Sequence, residues 1–177
     1  ILTQYLTPVI RFCEGEDILL LIRALNSLLI INSNVVNIVL VLTNIKERLF
    51  LKKILPDILY YKIDCIFIQN KGDSRSAALV ESKKMIKGEF VLFLDYDDEI
   101  DCRAKAVISN YQRVSQFKLI MGHFSYFYFK SINGKNILSE ISTPTFKVLK
   151  RKSYCLGNRS PMGSFLIKNE LFYRVDI

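Results

Sequence analysis

The chain has 177 residues, half of them hydrophobic and 24% charged, with 25 Lys+Arg against 17 Asp+Glu for a net charge of +8. That length suits one folded domain with a substantial core, and the composition excludes a disordered chain. The positive balance favours an anionic partner such as a nucleotide or an anionic membrane surface; nucleic acid is not expected, because no stripe of basic residues interleaved with aromatics occurs.

Residues 5–12 (YLTPVIRF) predict a first strand. Glu16 or Asp17 then caps a helix whose apolar face is Ile18, Leu21, Ile22, Leu25, Leu28 and Leu29, spaced by threes and fours. VVNIVLVL, residues 35–42, is a nearly continuous β-branched run, as in a strand covered on both faces. Residues 46–55 predict a second helix stopped by Pro56, and residues 63–69 a third strand. A third helix opens at Asp73 or Ser74 and runs to Lys87, with Gly88 as its stop. Residues 90–94 (FVLFL) form a fourth strand. Strands alternating with helices predict an α/β fold with a mostly parallel sheet. Beyond, residues 102–114 predict one helix, residues 118–141 two strands joined at Asn133-Gly134, and residues 160–175 a turn, a strand and a short helix.

Cys13, Cys65, Cys102 and Cys155 form no CxxC pair, and His123 is the one histidine, so neither a zinc site nor a disulfide framework is expected. His123 and the aromatics from Phe124 to Phe129 read as packed strand residues. The opening ILTQYLTPVIRF lacks a signal-peptide pattern, and residues 18–42 are too interrupted by polar residues for a membrane span. A cytoplasmic protein with reduced thiols is expected. The first residue is Ile, which suggests removal of an upstream segment or a fragment.

The chemistry concentrates in FVLFLDYDDE, residues 90–99, where an apolar strand runs into several carboxylates. Ligands of open parallel sheets bind beyond the carboxyl ends of strands. Asp95 and Asp97, two apart on an extended chain, can converge on one point, where a cation relieves their repulsion. Mg2+ or Mn2+ is commonly held by one or two carboxylates, with substrate phosphates completing the shell. The alternative is a polar strand end whose acids cap the following helix.

The upstream segment KGDSRSAALVESKKMIKGEFVLFLDYDDEID resembles the nucleotide-sugar half of family-2 glycosyltransferases of the GT-A fold. The first strand, with its loop at Cys13–Gly15 and a helix ending in Asn-Ser-Leu-Leu, agrees, as does PMGSFLIKNELFYRV. The resemblance implies a three-layer α/β/α sandwich, with a donor-binding half at residues 1–101 and part of an acceptor-side half at residues 102–177. It implies that Arg11, Glu14, Asn44, Arg75, Asp95 and Tyr96 contact a nucleotide-diphospho-sugar, UDP-sugar favoured. Asp95 and Asp97 would hold Mn2+ or Mg2+. The acceptor would be a saccharide or a lipid-linked sugar in bacterial surface polysaccharide or glycolipid synthesis. The basic group Lys147, Lys150, Arg151 and Lys152 could meet anionic lipid headgroups at the inner face of the membrane.

The sequence departs from that family in three places. Thr43 and Asn44 stand where an aspartate usually binds uracil, Glu14 stands in place of Asn, and Leu79 and Val80 replace an Arg-Asn pair. An inverting transfer needs a carboxylate base for the acceptor hydroxyl. The resemblance places that base beyond Ile177 and not at Glu140, Glu170 or Asp176. Two other readings remain: a degenerate, non-catalytic GT-A domain, and a haloacid-dehalogenase-like phosphatase with Asp95 as nucleophile and Asp97 as general acid. Against the phosphatase, Glu99 stands where Thr or Val is usual.

Overall fold

A computed structural model describes residues 4–45, 55, 57–69, 74–116, 118–121, 126–132, 135–142 and 165–174. Nearly all of the predicted second helix lies outside the described residues. So do the Asn133-Gly134 turn, His123, Cys155 and the Lys147–Lys152 group.

Strand β1 spans Leu6–Cys13. Asp17 caps α1 (Ile18–Ser27), its carboxylate accepting the Leu19 N–H at 2.9 Å. Leu21, Ala24 and Leu25 face the core. At Leu28 the chain tightens into a 3-10 helix running to Asn34. The change of winding shifts the buried face, so Leu29, expected inside, is exposed, and Ile31 is buried.

Strand β2 (Ile38–Thr43) is buried throughout, followed by a short helix α2 (Asp57–Tyr60) and β3 (Ile63–Ile68). Helix α3 spans Ser74–Ser82 and passes into a 3-10 turn at Lys83–Met85, ending before the expected Lys87. Strand β4 is Phe90–Asp95.

The helix expected at 102–114 is broken into α4 (Cys102–Ile108) and α5 (Tyr111–Val114), the Ser109 and Asn110 N–H groups donating back to Lys105 and Val107. The segment expected to give two strands gives three: β5 (Leu119–Met121), β6 (Tyr126–Ile132) and β7 (Lys135–Ser142). Strand β8 (Phe165–Lys168) and α6 (Asn169–Arg174) follow, in the predicted order.

Among the described residues the main sheet has six strands in the order β3-β2-β1-β4-β8-β5, and β6 and β7 pair separately. The pairs β3-β2, β2-β1 and β1-β4 are parallel, while β8 runs antiparallel to both neighbours. Alternate residues feed two cores. Leu6, Ile10, Leu40, Leu42, Phe90 and Leu92 pack with Leu21, Leu25 and Ile108 on one face. Val9, Val39, Val41, Val91 and Phe93 pack with Ala78, Ile86 and Phe172 on the other. The result is the expected three-layer α/β/α arrangement on a mostly parallel sheet.

A buried polar knot ties the amino ends of the strands. The Thr7 hydroxyl donates to Asn37 Oδ1 at 2.7 Å and accepts the Gly88 N–H at 2.8 Å. Asn37 Nδ2 donates to Asp64 and to the Met85 carbonyl, each at 2.8 Å. Val35 makes only an isolated parallel bridge with Leu6, and the continuous strand begins at Ile38. Gly88 has a role beyond stopping a helix: a Cβ there would lie 2.7 Å from both Thr7 N and the Tyr5 carbonyl oxygen. Among the described residues no helix is long and apolar enough to cross a membrane.

Candidate functional site

The strand order defines where a ligand can enter. From β1 the sheet grows through β2 to β3, and β4 then adds on the opposite side of β1. The connections diverge between β1 and β4, so a crevice opens beyond their carboxyl ends. Register fills that crevice: Arg11 lies beside Asp95 on β4 and beside Val41 on β2, and Cys13 lies beside Thr43. Arg11, Cys13, Thr43 and Asp95 share the face of Val9, Val41 and Phe93, which α3 covers.

Arg11 is the centre of the cluster. Its guanidinium lies 3.3 Å from Glu16, 3.5 Å from Asp95 and 3.4 Å from the Cys13 sulfur. Burial works against its charge, but the Cys13 sulfur, Glu16 and Asp95 together hold its pKa above the ordinary value. Glu16 also accepts the Cys13 N–H at 2.6 Å. Glu16 is not among the residues that the family resemblance assigns to the site. It arrives there through the reversal at Gly15, whose φ of 88° favours glycine. The signal that points to it is Arg11 itself, since a cation in an otherwise apolar strand needs carboxylate partners.

Of the other assigned residues, Glu14, Asn44 and Tyr96 directly follow β1, β2 and β4. Glu14 is exposed, and its N–H donates to the Thr43 carbonyl at 3.0 Å. Asn44 takes the left-handed conformation at φ 60°, its N–H bonded to the Ile68 carbonyl at 2.8 Å. The Thr43 hydroxyl is buried without a hydrogen-bond partner among the described residues. Tyr96 packs edge-on against Phe12, ring centres 5.7 Å apart. Arg75 stands in the first turn of α3, and its side chain lies outside the described residues. Beside these groups is a small cleft of about 70 Å³, open to solvent, lined by Val9, Ala78, Leu79, Phe93 and Leu94 together with Arg11 and Asp95.

The acidic turn after β4 is held from three sides. The Asp98 N–H closes onto the Asp95 carbonyl at 3.0 Å, the Ile100 N–H donates to the buried Ser27 hydroxyl at 2.9 Å, and Arg23 pairs with Glu99. Asp101 caps α4 and binds Arg103 through both oxygens, which holds its carboxyl well below the usual range. Helix capping thus accounts for Asp101 but not for Asp95, Asp97 or Asp98.

Burial, reinforced by repulsion from Asp95 and Asp97, raises the Asp98 pKa from 3.8 to about 6. A raised carboxylate favours the protonated fold. As pH climbs from about 4 to about 6 the unfolded chain ionises first, and the stability that Asp98 contributes when protonated is lost. Asp98→Asn is therefore expected to raise Tm at pH 7.5, with the gain vanishing near pH 4. Melting curves of both proteins across that range check it, and an equal Tm at pH 7.5 contradicts it.

Among the described residues no group of three or more His, Cys, Asp or Glu side chains gathers as a ready metal cage. The donor set fits a hard divalent ion that shares its shell with phosphate. Asp97 is exposed and has no hydrogen-bond or ion-pair partner among the described residues, and burial, with repulsion from Asp95 and Asp97, pushes Asp98 toward protonation. Asp97, with Asp95, would hold the ion.

No protein-family profile matches the sequence, and no curated protein matches it. Solved structures do. S. aureus TarS 1-349 superimposes with a TM-score of 0.61 at 15% identity, covering 96% of this chain and 48% of TarS. TarS in complex with UDP-GlcNAc gives 0.61 at 17% identity, covering 96% and 47%. HddC from Yersinia pseudotuberculosis gives 0.57 at 13% identity, covering 98% of this chain and 81% of that one. The chain spans about half the length of the TarS chains it matches. At these identities the likeness is one of fold, and that fold is GT-A-like.

Proposed function

We propose that this chain is the donor-binding part of a glycosyltransferase. It binds a nucleotide-diphospho-sugar, UDP-sugar favoured, at the carboxyl ends of β1, β2 and β4, and moves the sugar to a saccharide or lipid-linked acceptor hydroxyl. The observation that carries the reading is the Arg11–Asp95 pair and its acidic turn at the point where the strand connections diverge. The likeness in fold to TarS, which has been solved with UDP-GlcNAc, supports it.

In this reading Arg11 presents its guanidinium to the diphosphate. Tyr96 and the backbone around Glu14 and Asn44 would border the nucleoside, and Arg75, in the first turn of α3, would meet the base or the phosphates. Asp95 and Asp97 would hold Mn2+ or Mg2+. A divalent ion bound there neutralises charge on the leaving diphosphate. Residues 1–101 serve the donor and residues 102–177 begin the acceptor side. Inverting stereochemistry and a role in bacterial surface polysaccharide or glycolipid synthesis belong to the same proposal. The proton acceptor is assigned to no residue of this chain.

A non-catalytic binding domain is the second reading. It is favoured by Asn44 in the place of an aspartate and by Leu79, whose hydrocarbon lines the cleft where the resemblance leads one to expect an Arg-Asn pair. Calorimetric titration of UDP into the wild type and Asp97→Ala, with Mn2+ and with chelator, tests the proposal. Binding that needs both Mn2+ and Asp97, weakened about tenfold or more in the variant, supports the donor site. No binding of UDP, GDP or deoxythymidine diphosphate with Mn2+ overturns it.

A further inference from the structure

Arg11 faces two carboxylates that are held very differently. Glu16 is fixed independently, because its second oxygen takes the Cys13 N–H at 2.6 Å. The Asp95 carboxylate has Arg11 as its only hydrogen-bond or ion-pair partner among the described residues, at 3.5 Å, with the side chain 38% exposed. A tight charge-assisted contact closes to about 2.7–2.9 Å, so the Arg11–Asp95 pair is loose. A guanidinium and a divalent ion cannot both sit against Asp95 without repelling each other, unless an anion lies between them. The cleft beside Arg11 is lined by Val9, Ala78, Leu79 and Phe93, which offer the guanidinium no other acceptor. On the same face, the buried Thr43 hydroxyl has no hydrogen-bond partner among the described residues.

We propose that Arg11 is an internal counter-cation for Asp95, and that it releases this carboxylate to a divalent ion only when an anionic ligand takes the guanidinium. Metal and diphosphate then bind together and poorly alone. The inference rests on the donor-site reading for the identity of the anion, but the competition between Arg11 and the metal stands on the local geometry. Coupling of this kind is reciprocal: the diphosphate tightens the metal by the factor by which the metal tightens the diphosphate.

The test is a Mn2+ titration followed by electron paramagnetic resonance of the free ion, with no nucleotide present, and then with UDP or inorganic pyrophosphate. In the wild type Mn2+ alone binds weakly, and the added anion tightens it by about tenfold or more. Arg11→Met binds Mn2+ alone more tightly than the wild type, and the anion then adds little. If Arg11→Met binds Mn2+ no more tightly, or neither protein binds it, the inference is overturned.

Should Arg11→Met fail to fold, Asp95→Asn decides the matter. It should leave weak binding of Mn2+ alone nearly unchanged and weaken binding in the presence of anion. Equal weakening in both conditions overturns the inference. Failure of the donor reading looks different: pyrophosphate tightens Mn2+ through Arg11, while no nucleoside diphosphate does better than pyrophosphate.

Discussion

Gly88→Ala is expected to destabilise the fold by roughly 3 kcal/mol. The added methyl would sit 2.7 Å from Thr7 N, 2.7 Å from the Tyr5 carbonyl oxygen and 2.8 Å from Leu6 C. All three are backbone atoms of or next to β1, so no side chain can swing aside. Relief requires moving the entry of β4 away from β1, which stretches the 2.8 Å bond from the Gly88 N–H to Thr7 and the 3.0 Å bond from the Phe90 N–H to the Tyr5 carbonyl. Gly15→Ala is the contrast. Its φ is 88°, but a Cβ there meets nothing within 4 Å. Only conformational strain is added, on the order of 1 kcal/mol. Urea denaturation of the three proteins measures both effects, and equal midpoints for the two variants would contradict the close-approach account.

Asn37→Leu should cost roughly 2–4 kcal/mol, because it strips partners from several buried groups at once. Asn37 is 3% exposed, accepts from Thr7 and donates to both Asp64 and the Met85 carbonyl. Leucine has similar bulk but satisfies none of them. The Thr7 hydroxyl, which is fully buried, is left with only the Gly88 N–H. Thr7→Val alone should cost less, since it leaves Asn37 its two donor bonds. The double variant Thr7→Val with Asn37→Leu should cost less than the sum, because the Thr7–Asn37 bond is lost only once. A double-mutant cycle by urea denaturation measures the shortfall, and strict additivity would show that the knot does not act as a unit.

Much of the architecture is legible in the chain. VVNIVLVL and FVLFL are long, nearly unbroken apolar runs, and only strands covered on both faces need them. The acidic end of β4 is legible for the same reason, since Asp95 follows five apolar residues without a break. What escapes local pattern is what depends on distant partners. Leu29 carries the right spacing for the buried face of α1, but the winding changes one residue earlier. The break between α4 and α5 follows no glycine or proline; it sits at Ser109 and Asn110. Glu16 belongs to the Arg11 cluster only because Gly15 reverses the chain. Asp98 is visible as an acid, but its burial, and so its raised pKa, is set by the packing of the whole turn.

The placement of β8 has a consequence for how the chain is made. Phe90 of β4 pairs with Lys168 of β8, so one side of β4 waits for residues 165–168 to leave the ribosome. At about 5–20 residues per second, synthesis of the intervening stretch takes several seconds. During that interval a nascent chain that has already aligned β1 to β4 carries an open, apolar strand edge, the kind of edge that recruits other chains. Pairings that span so much sequence are also slow to close. The step most exposed to misassembly is thus the docking of β8 beside the strand that ends in Asp95, and a nascent chain stalled before that strand would be the species that chaperones hold.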